Sequence, residues 1–153
     1  MALGTVLPFW PALLFAYIEP ISLVMGWNAA WNDPSTFISK QVPTSSSVLA
    51  SPSAGATCLS YTIGNVYLLL GALAILCTAI TRENRVAWWY LFFIACGDLG
   101  HIYSSYKAMG PESFWNFNEY NDMMWGNIGA SAFLHVNRGL TLIGVFGRFR
   151  GRP

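Results

Sequence analysis

Residues 61–81 read YTIGNVYLLLGALAILCTAIT, and no side chain in that stretch is charged. From Tyr67 to Ile80 the run is almost unbroken in apolar residues. A half-buried strand would be short and would alternate, whereas a long continuous run reads as a helix. At about 1.5 Å per residue such a helix covers roughly 30 Å, the thickness of the hydrocarbon core of a bilayer. Working outward, three more windows of this kind stand at 7–27, 87–107 and 127–147. The expected fold is all-α: one membrane domain over 1–153, built as a four-transmembrane-helix bundle.

Composition agrees. Of 153 residues, 54% are hydrophobic, 16% aromatic and 10% charged, against about 25% charged in an average soluble domain. This excludes a disordered chain and argues against an ordinary soluble enzyme. A net charge of +1 leaves no basic footprint for nucleic acid. The first window lacks a positive leading region and carries Glu19-Pro20, so it reads as a retained helix rather than a signal peptide.

Charge sets the expected orientation. Arg82 and Arg85 lie between windows two and three, and Arg148, Arg150 and Arg152 in the tail; the other two loops hold Lys40 and Lys107. The positive-inside rule then places both termini in the cytosol, with the endoplasmic reticulum as the expected membrane. Trp27, Trp31, Trp88, Trp89, Trp115 and Trp125 fall near window ends, as interface aromatics do. The first loop is Ser/Pro-rich over 41–56 and reads as a connector. In the third loop Phe114, Trp115, Phe117, Tyr120, Met123, Met124 and Trp125 mix with Glu112, Glu119 and Asp122, which suits an amphipathic segment lying over the exterior end, as an anchor or a lid. Cys77 and Cys96 read as small core residues and Cys58 as an unpaired exterior thiol. No C-x-x-C pair, P-loop, dinucleotide-binding glycine pattern or G-x-S-x-G elbow occurs.

Ionisable groups inside spans are costly and are functional candidates by default. This chain has five: Glu19, Asp98, His101, His135 and Arg138. His101 follows Asp98 at i+3, on the same face. Asn127, Ser131, His135 and Arg138 recur at i, i+4, i+8 and i+11, a single stripe because eleven residues make about three turns. Asn65 and Tyr61 mark the exterior half of window two. Counted from the exterior ends, Glu19, Asp98, His135 and Arg138 lie roughly eight to eleven residues deep, so the windows deliver polar groups to one layer. Lipid-facing placement is prohibitive, so they are expected to converge on a polar pocket. Asn137 and Tyr103 point elsewhere by helical phase. Pro20 removes a backbone donor and frees a carbonyl one turn earlier. Gly97 and Gly100 flank the acidic motif, and Gly26, Gly64, Gly71 and Gly129 thin other helices, for close packing or to leave room for a ligand.

Two carboxyls in one dry pocket do not both ionise easily, and an arginine or histidinium beside them favours one carboxylate. One neutral acid and one ionised base suit reactions begun by protonation and completed by proton removal or water activation. Epoxide opening, alkene isomerisation and cation-type cyclisation of a lipophilic substrate all qualify. The other reading of Asp98 and Arg138 is a buried ion pair that fixes helix register, within a lipid-binding or transport protein. A metal site at Glu19, Asp98 and His101 lacks the Glu-x-x-His pattern and would face Arg138. Neither a metal nor another cofactor is expected. The expected partners are a lipophilic small molecule and membrane lipids, and the glycine-rich faces are open to a second copy.

The Tyr17-Ile18-Glu19-Pro20 stretch, the Gly97-Asp98-Leu99-Gly100-His101 motif and the polar last window with its basic tail resemble a fungal group. These are small four-helix integral-membrane proteins of polyketide and terpenoid biosynthetic clusters, among them membrane epoxide hydrolases of aurovertin- and citreoviridin-type pathways. There is a looser similarity to the bundle of emopamil-binding-protein sterol isomerases. The resemblance implies water addition to, or internal attack on, a polyene-derived epoxide. It implies Glu19 and Asp98 as acid and base, assisted by His101 and Asn65, with Arg138 holding them and Tyr61 steering the oxygen. His135, Asn127 and Ser131 complete the expected substrate-facing set.

Overall fold

The apolar run begins earlier than its hydropathy suggests, because Ser53 caps it: its Oγ accepts a hydrogen bond from the Ala56 N–H at 3.2 Å. In the computed structural model, which describes residues 2–43 and 51–152, that helix runs Ala54–Ile80. It is the third of five helices among the described residues: α1 Phe9–Asn32, α2 Pro34–Ser39, α3 Ala54–Ile80, α4 Asn84–Trp115 and α5 over 122–142. No strand is present among them. Residues 44–50 of the expected Ser/Pro connector lie outside the described residues.

Each predicted window falls on a helix, but the bounds differ for local reasons. Asp33 ends α1 and caps α2, accepting from the Thr36 N–H at 3.1 Å, with Pro34 at the first helical position. The first loop therefore begins with a helix, ahead of the Ser/Pro-rich connector. Asn121 caps α5 by accepting from the Met124 N–H at 2.9 Å. That last helix ends at Leu142 rather than 147, because Gly144 and Gly147 take left-handed φ values of 84° and 111° and turn the tail back. Gly110 (φ 78°), followed by Pro111, breaks α4 near its end. α1 and α3 are long and apolar enough to cross a membrane.

α1 packs along α3, and α4 along α5. Close approach within the first pair uses glycine: a Cβ on Gly26 would sit 3.1 Å from the Tyr67 ring, and one on Gly64 would overlap the Trp31 indole. By contrast, Gly97 and Gly100 are exposed and nothing lies within 4 Å of a Cβ placed at either, so neither serves a close approach between helices. Cys96 is exposed, which corrects its reading as a core residue. It lies two positions before the buried Asp98, so the helical turn carries it to another face.

The helix register shifts around Pro20. Residues Ala12–Ile18 form a π-helical segment, and the Glu19 N–H bonds the Leu14 carbonyl. In an i→i+5 register the Phe15 carbonyl faces Pro20, which has no N–H to give. The buried Thr78 hydroxyl stands 3.3 Å from that carbonyl and 2.6 Å from the Ala74 carbonyl of its own helix. Thr78 lies in a second π segment, Ile75–Ile80, so the two irregular stretches meet where α1 crosses α3.

The apolar core, with Val6, Leu7, Leu14, Phe15 and Leu91 fully or almost fully buried, sits at the end where the tail returns. Arg150 N–H donates to the Val6 carbonyl at 2.8 Å, and Arg152 N–H to the Arg82 carbonyl at 2.7 Å. Asn84 exchanges two hydrogen bonds with the Gly151 backbone, at 3.0 and 2.7 Å. The helices' outer faces are apolar: Ile21, Met25, Leu69, Ile80 and Phe93 are each at least 60% exposed.

Candidate functional site

One buried group inverts that pattern. Arg138 of α5 is fully buried, and Glu19 of α1 and Asp98 of α4 are nearly so. Arg138 donates through Nη2 to Glu19 Oε1 and through Nη1 to Asp98 Oδ2. One planar guanidinium thus grips two carboxyls from two other helices, the use for which its rigid fork is suited. Its Cζ also lies 5.1 Å from the centroid of the Phe15 ring. Glu19 Oε2 and Arg138 Nε are buried without a hydrogen-bond partner among the described residues. Fully ionised, the triad carries one net negative charge; a single retained proton makes it neutral.

Pro20 and the π segment before it set the position of Glu19, since they fix the register of α1 immediately N-terminal to the carboxyl. Arg138 is reached from the start of α5 by the stripe described above. Its neighbour Asn137, assigned by phase to the wrong face, is buried as well. Asn137 Oδ1 accepts from Trp10 Nε1 at 2.8 Å, and its Nδ2 donates to the Phe133 carbonyl at 2.8 Å. It ties the start of α1 to α5 beside the triad. The apolar Trp10 and the adjacent Arg138 hid that role, and only the partner across the bundle reveals it.

The remaining expected residues divide. His135 Nδ1 lies 3.0 Å from the Ala95 carbonyl and so joins α5 to α4, one turn from Asp98. His101 lines a cleft of about 300 Å³ between α2, α3 and α4, with Phe37, Gln41, Leu59, Ser60 and Tyr67. Gln41 Oε1 accepts from Asn127 Nδ2 at 2.8 Å, which places Asn127 behind the cleft wall. Ser60 Oγ donates to the Ala30 carbonyl at 2.9 Å. Asn65 and Tyr61 are exposed and line neither the cleft nor the triad; Tyr61 packs on Trp31 instead, at 5.1 Å between centroids. Ser131 is half-buried on the α5 stripe. Tyr67 and Gln41 were missed by sequence reasoning, one reading as part of an apolar run and the other as part of a connector.

An aromatic segment spans the end of α4 and the start of α5. Phe114, Trp115, Phe117, Tyr120 and Trp125 form a chain of ring contacts with centroids 5.1–6.1 Å apart. Lys40, just after α2, pairs with Asp122 at the start of α5 at 3.0 Å. That bond holds the Asp122 carboxyl below its ordinary range. Among the described residues no cluster of three His, Cys, Asp or Glu side chains with metal-binding geometry occurs.

The chain belongs to a family described as a domain of unknown function, DUF7704, whose model matches residues 4–148. No curated protein and no solved structure matches it.

Proposed function

We propose that this member of the DUF7704 family is a four-span membrane enzyme that opens an epoxide on a lipophilic polyene or terpenoid intermediate. The observation that carries the reading is the pair of carboxyls from separate helices on one buried guanidinium, with Glu19 Oε2 left unpartnered. The membrane part is supported by the distribution of side chains: charge at the centre, and apolar residues such as Met25 (67% exposed) on the outer faces. Basic residues gathered at one end support cytosolic termini, and the fungal resemblance points to the endoplasmic reticulum.

In the proposed reaction one carboxyl of the Glu19–Asp98 pair, holding a proton, donates it to the epoxide oxygen as the C–O bond breaks. The other carboxylate takes a proton from the attacking water, whose oxygen bonds the carbon. The product is a vicinal diol, or a cyclic ether when an internal hydroxyl attacks. The acid ends ionised and the base protonated, so one proton moving across the pair resets it. Arg138 holds the two groups and offsets the remaining charge. His101 lies at i+3 from Asp98 and faces the cleft, the route by which substrate reaches the pair from the α2 end.

A second reading is favoured by one observation: neither Glu19 nor Asp98 lines the His101 cleft. In that reading the triad locks three helices, and the cleft binds a lipid without chemistry, or isomerises a double bond with His101. The test is Glu19→Gln and Asp98→Asn in microsomes fed polyene epoxides. The enzyme reading expects each to abolish conversion while the protein remains folded and inserted. Conversion unchanged in either variant overturns it.

A further inference from the structure

The chain separates its charge along the bundle. The end where the tail returns carries Arg82, Arg85, Arg148, Arg150 and Arg152 against Glu83 alone, while the α2 end holds Lys40 and Lys107 against Asp33, Glu112, Glu119 and Asp122. Between the start of α4 and the tail a cleft of about 820 Å³ opens, lined by Asn84, Arg85, Trp88, Gly144, Gly147 and Arg148 among others, with no carboxylate in its wall. The cleft is a product of the fold. The left-handed turns at Gly144 and Gly147 send the tail across α4, and the Asn84–Gly151 and Arg82–Arg152 bonds pin it there. This brings Arg148 and Arg85 into the wall of one cleft. The first turn of α4 also lines the cleft through Asn84 and Arg85. From the arginines an aromatic wall leads along α4: Trp88 stacks on Phe92, centroids 5.6 Å apart at 8°.

We propose that this cleft binds the phosphate of an anionic phospholipid, with Arg85 and Arg148 on the phosphate oxygens and the acyl chain along Trp88 and Phe92. Guanidinium forks match phosphate geometry, and basic pockets at the cytosolic ends of membrane helices attract such headgroups. The lipid source rests on the membrane reading; the phosphate chemistry does not. The reaction at Glu19 and Asp98 is not involved.

The test is calorimetric titration of the detergent-purified full chain with dihexanoyl phosphatidic acid, dihexanoyl phosphatidylcholine and inorganic phosphate. Alkaline carbonate extraction of expressing microsomes checks the membrane reading separately. Phosphatidic acid is expected to bind most tightly. Arg85→Gln and Arg148→Gln should each weaken it about fivefold, and the double variant about 25-fold, from roughly 1 kcal/mol per arginine. Arg150→Gln, at the same end but outside the cleft, should leave it unchanged. An equal loss in Arg150→Gln reduces the effect to general charge and overturns the site. Inorganic phosphate binding as tightly as the lipid overturns the lipid assignment. No binding of phosphatidic acid by a protein that resists carbonate extraction overturns the proposal while leaving the membrane reading intact.

Discussion

Replacing Arg138 with methionine is expected to destabilise the bundle far more than replacing all three members of the triad. Arg138 is fully buried and makes both ion pairs that join α5 to α1 and α4. Its removal leaves Glu19 and Asp98 facing each other without a counter-charge, and breaking a buried pair from one side costs about 3–5 kcal/mol. Protonation of the carboxyls limits the loss, which places the expected value near the lower figure, about 3 kcal/mol. A triple variant, Glu19→Leu, Asp98→Leu and Arg138→Met, removes the desolvated charges together, and its stability should return to within about 1–2 kcal/mol of the wild type. The assay is equilibrium unfolding in mixed dodecyl maltoside and SDS micelles, followed by tryptophan fluorescence. A loss below about 1 kcal/mol for Arg138→Met, the range of an exposed pair, would refute the reasoning.

Other expectations follow from single contacts. Asn137→Leu should cost about 1–3 kcal/mol in the same assay, because it leaves Trp10 Nε1 without its acceptor; an unchanged midpoint would remove Asn137 as a tie between α1 and α5. Gly64→Leu should loosen the α1–α3 pair by about 1–3 kcal/mol, since its side chain would displace the Trp31 indole; cysteine cross-linking between α1 and α3 would report it. Lys40→Ala should raise the titration midpoint of Asp122 toward the ordinary carboxylate value, read by carbon-13 NMR of the side chain. The folded-state value is depressed, so the Lys40–Asp122 contribution is present above the ordinary carboxylate range and fades as pH falls through the folded value. A midpoint unmoved by Lys40→Ala would contradict that pairing.

Helix content and the central charges were legible because long apolar runs interrupted by a few charges are conspicuous in the sequence. The uncharged run at 61–81 located α3, and counting depth along the windows placed Glu19, Asp98 and Arg138 in one layer, where two ion pairs join them. What failed depends on partners distant in sequence. Asn137 meets Trp10 across 127 positions, and helical phase alone cannot weigh such a contact against the adjacent arginine. The π segment at 12–18 follows from Pro20 only once Thr78 is known to stand at the freed carbonyl. Asn65 and Tyr61 were placed by depth without rotation about the α3 axis, and both face outward. The end of α5 was readable in principle from Gly144 and Gly147, but the apolar Val145 and Phe146 between them masked the turn.

The most direct test of the proposed acid–base pair is conversion of a polyene mono-epoxide by microsomes in oxygen-18 water, with wild type compared to Glu19→Gln and Asp98→Asn at equal amounts of inserted protein. The account predicts a diol carrying one heavy oxygen, or a cyclic ether, from the wild type and neither from the two variants. Wild-type microsomes that leave the epoxide intact, or variants that convert it as fast as the wild type, would contradict it.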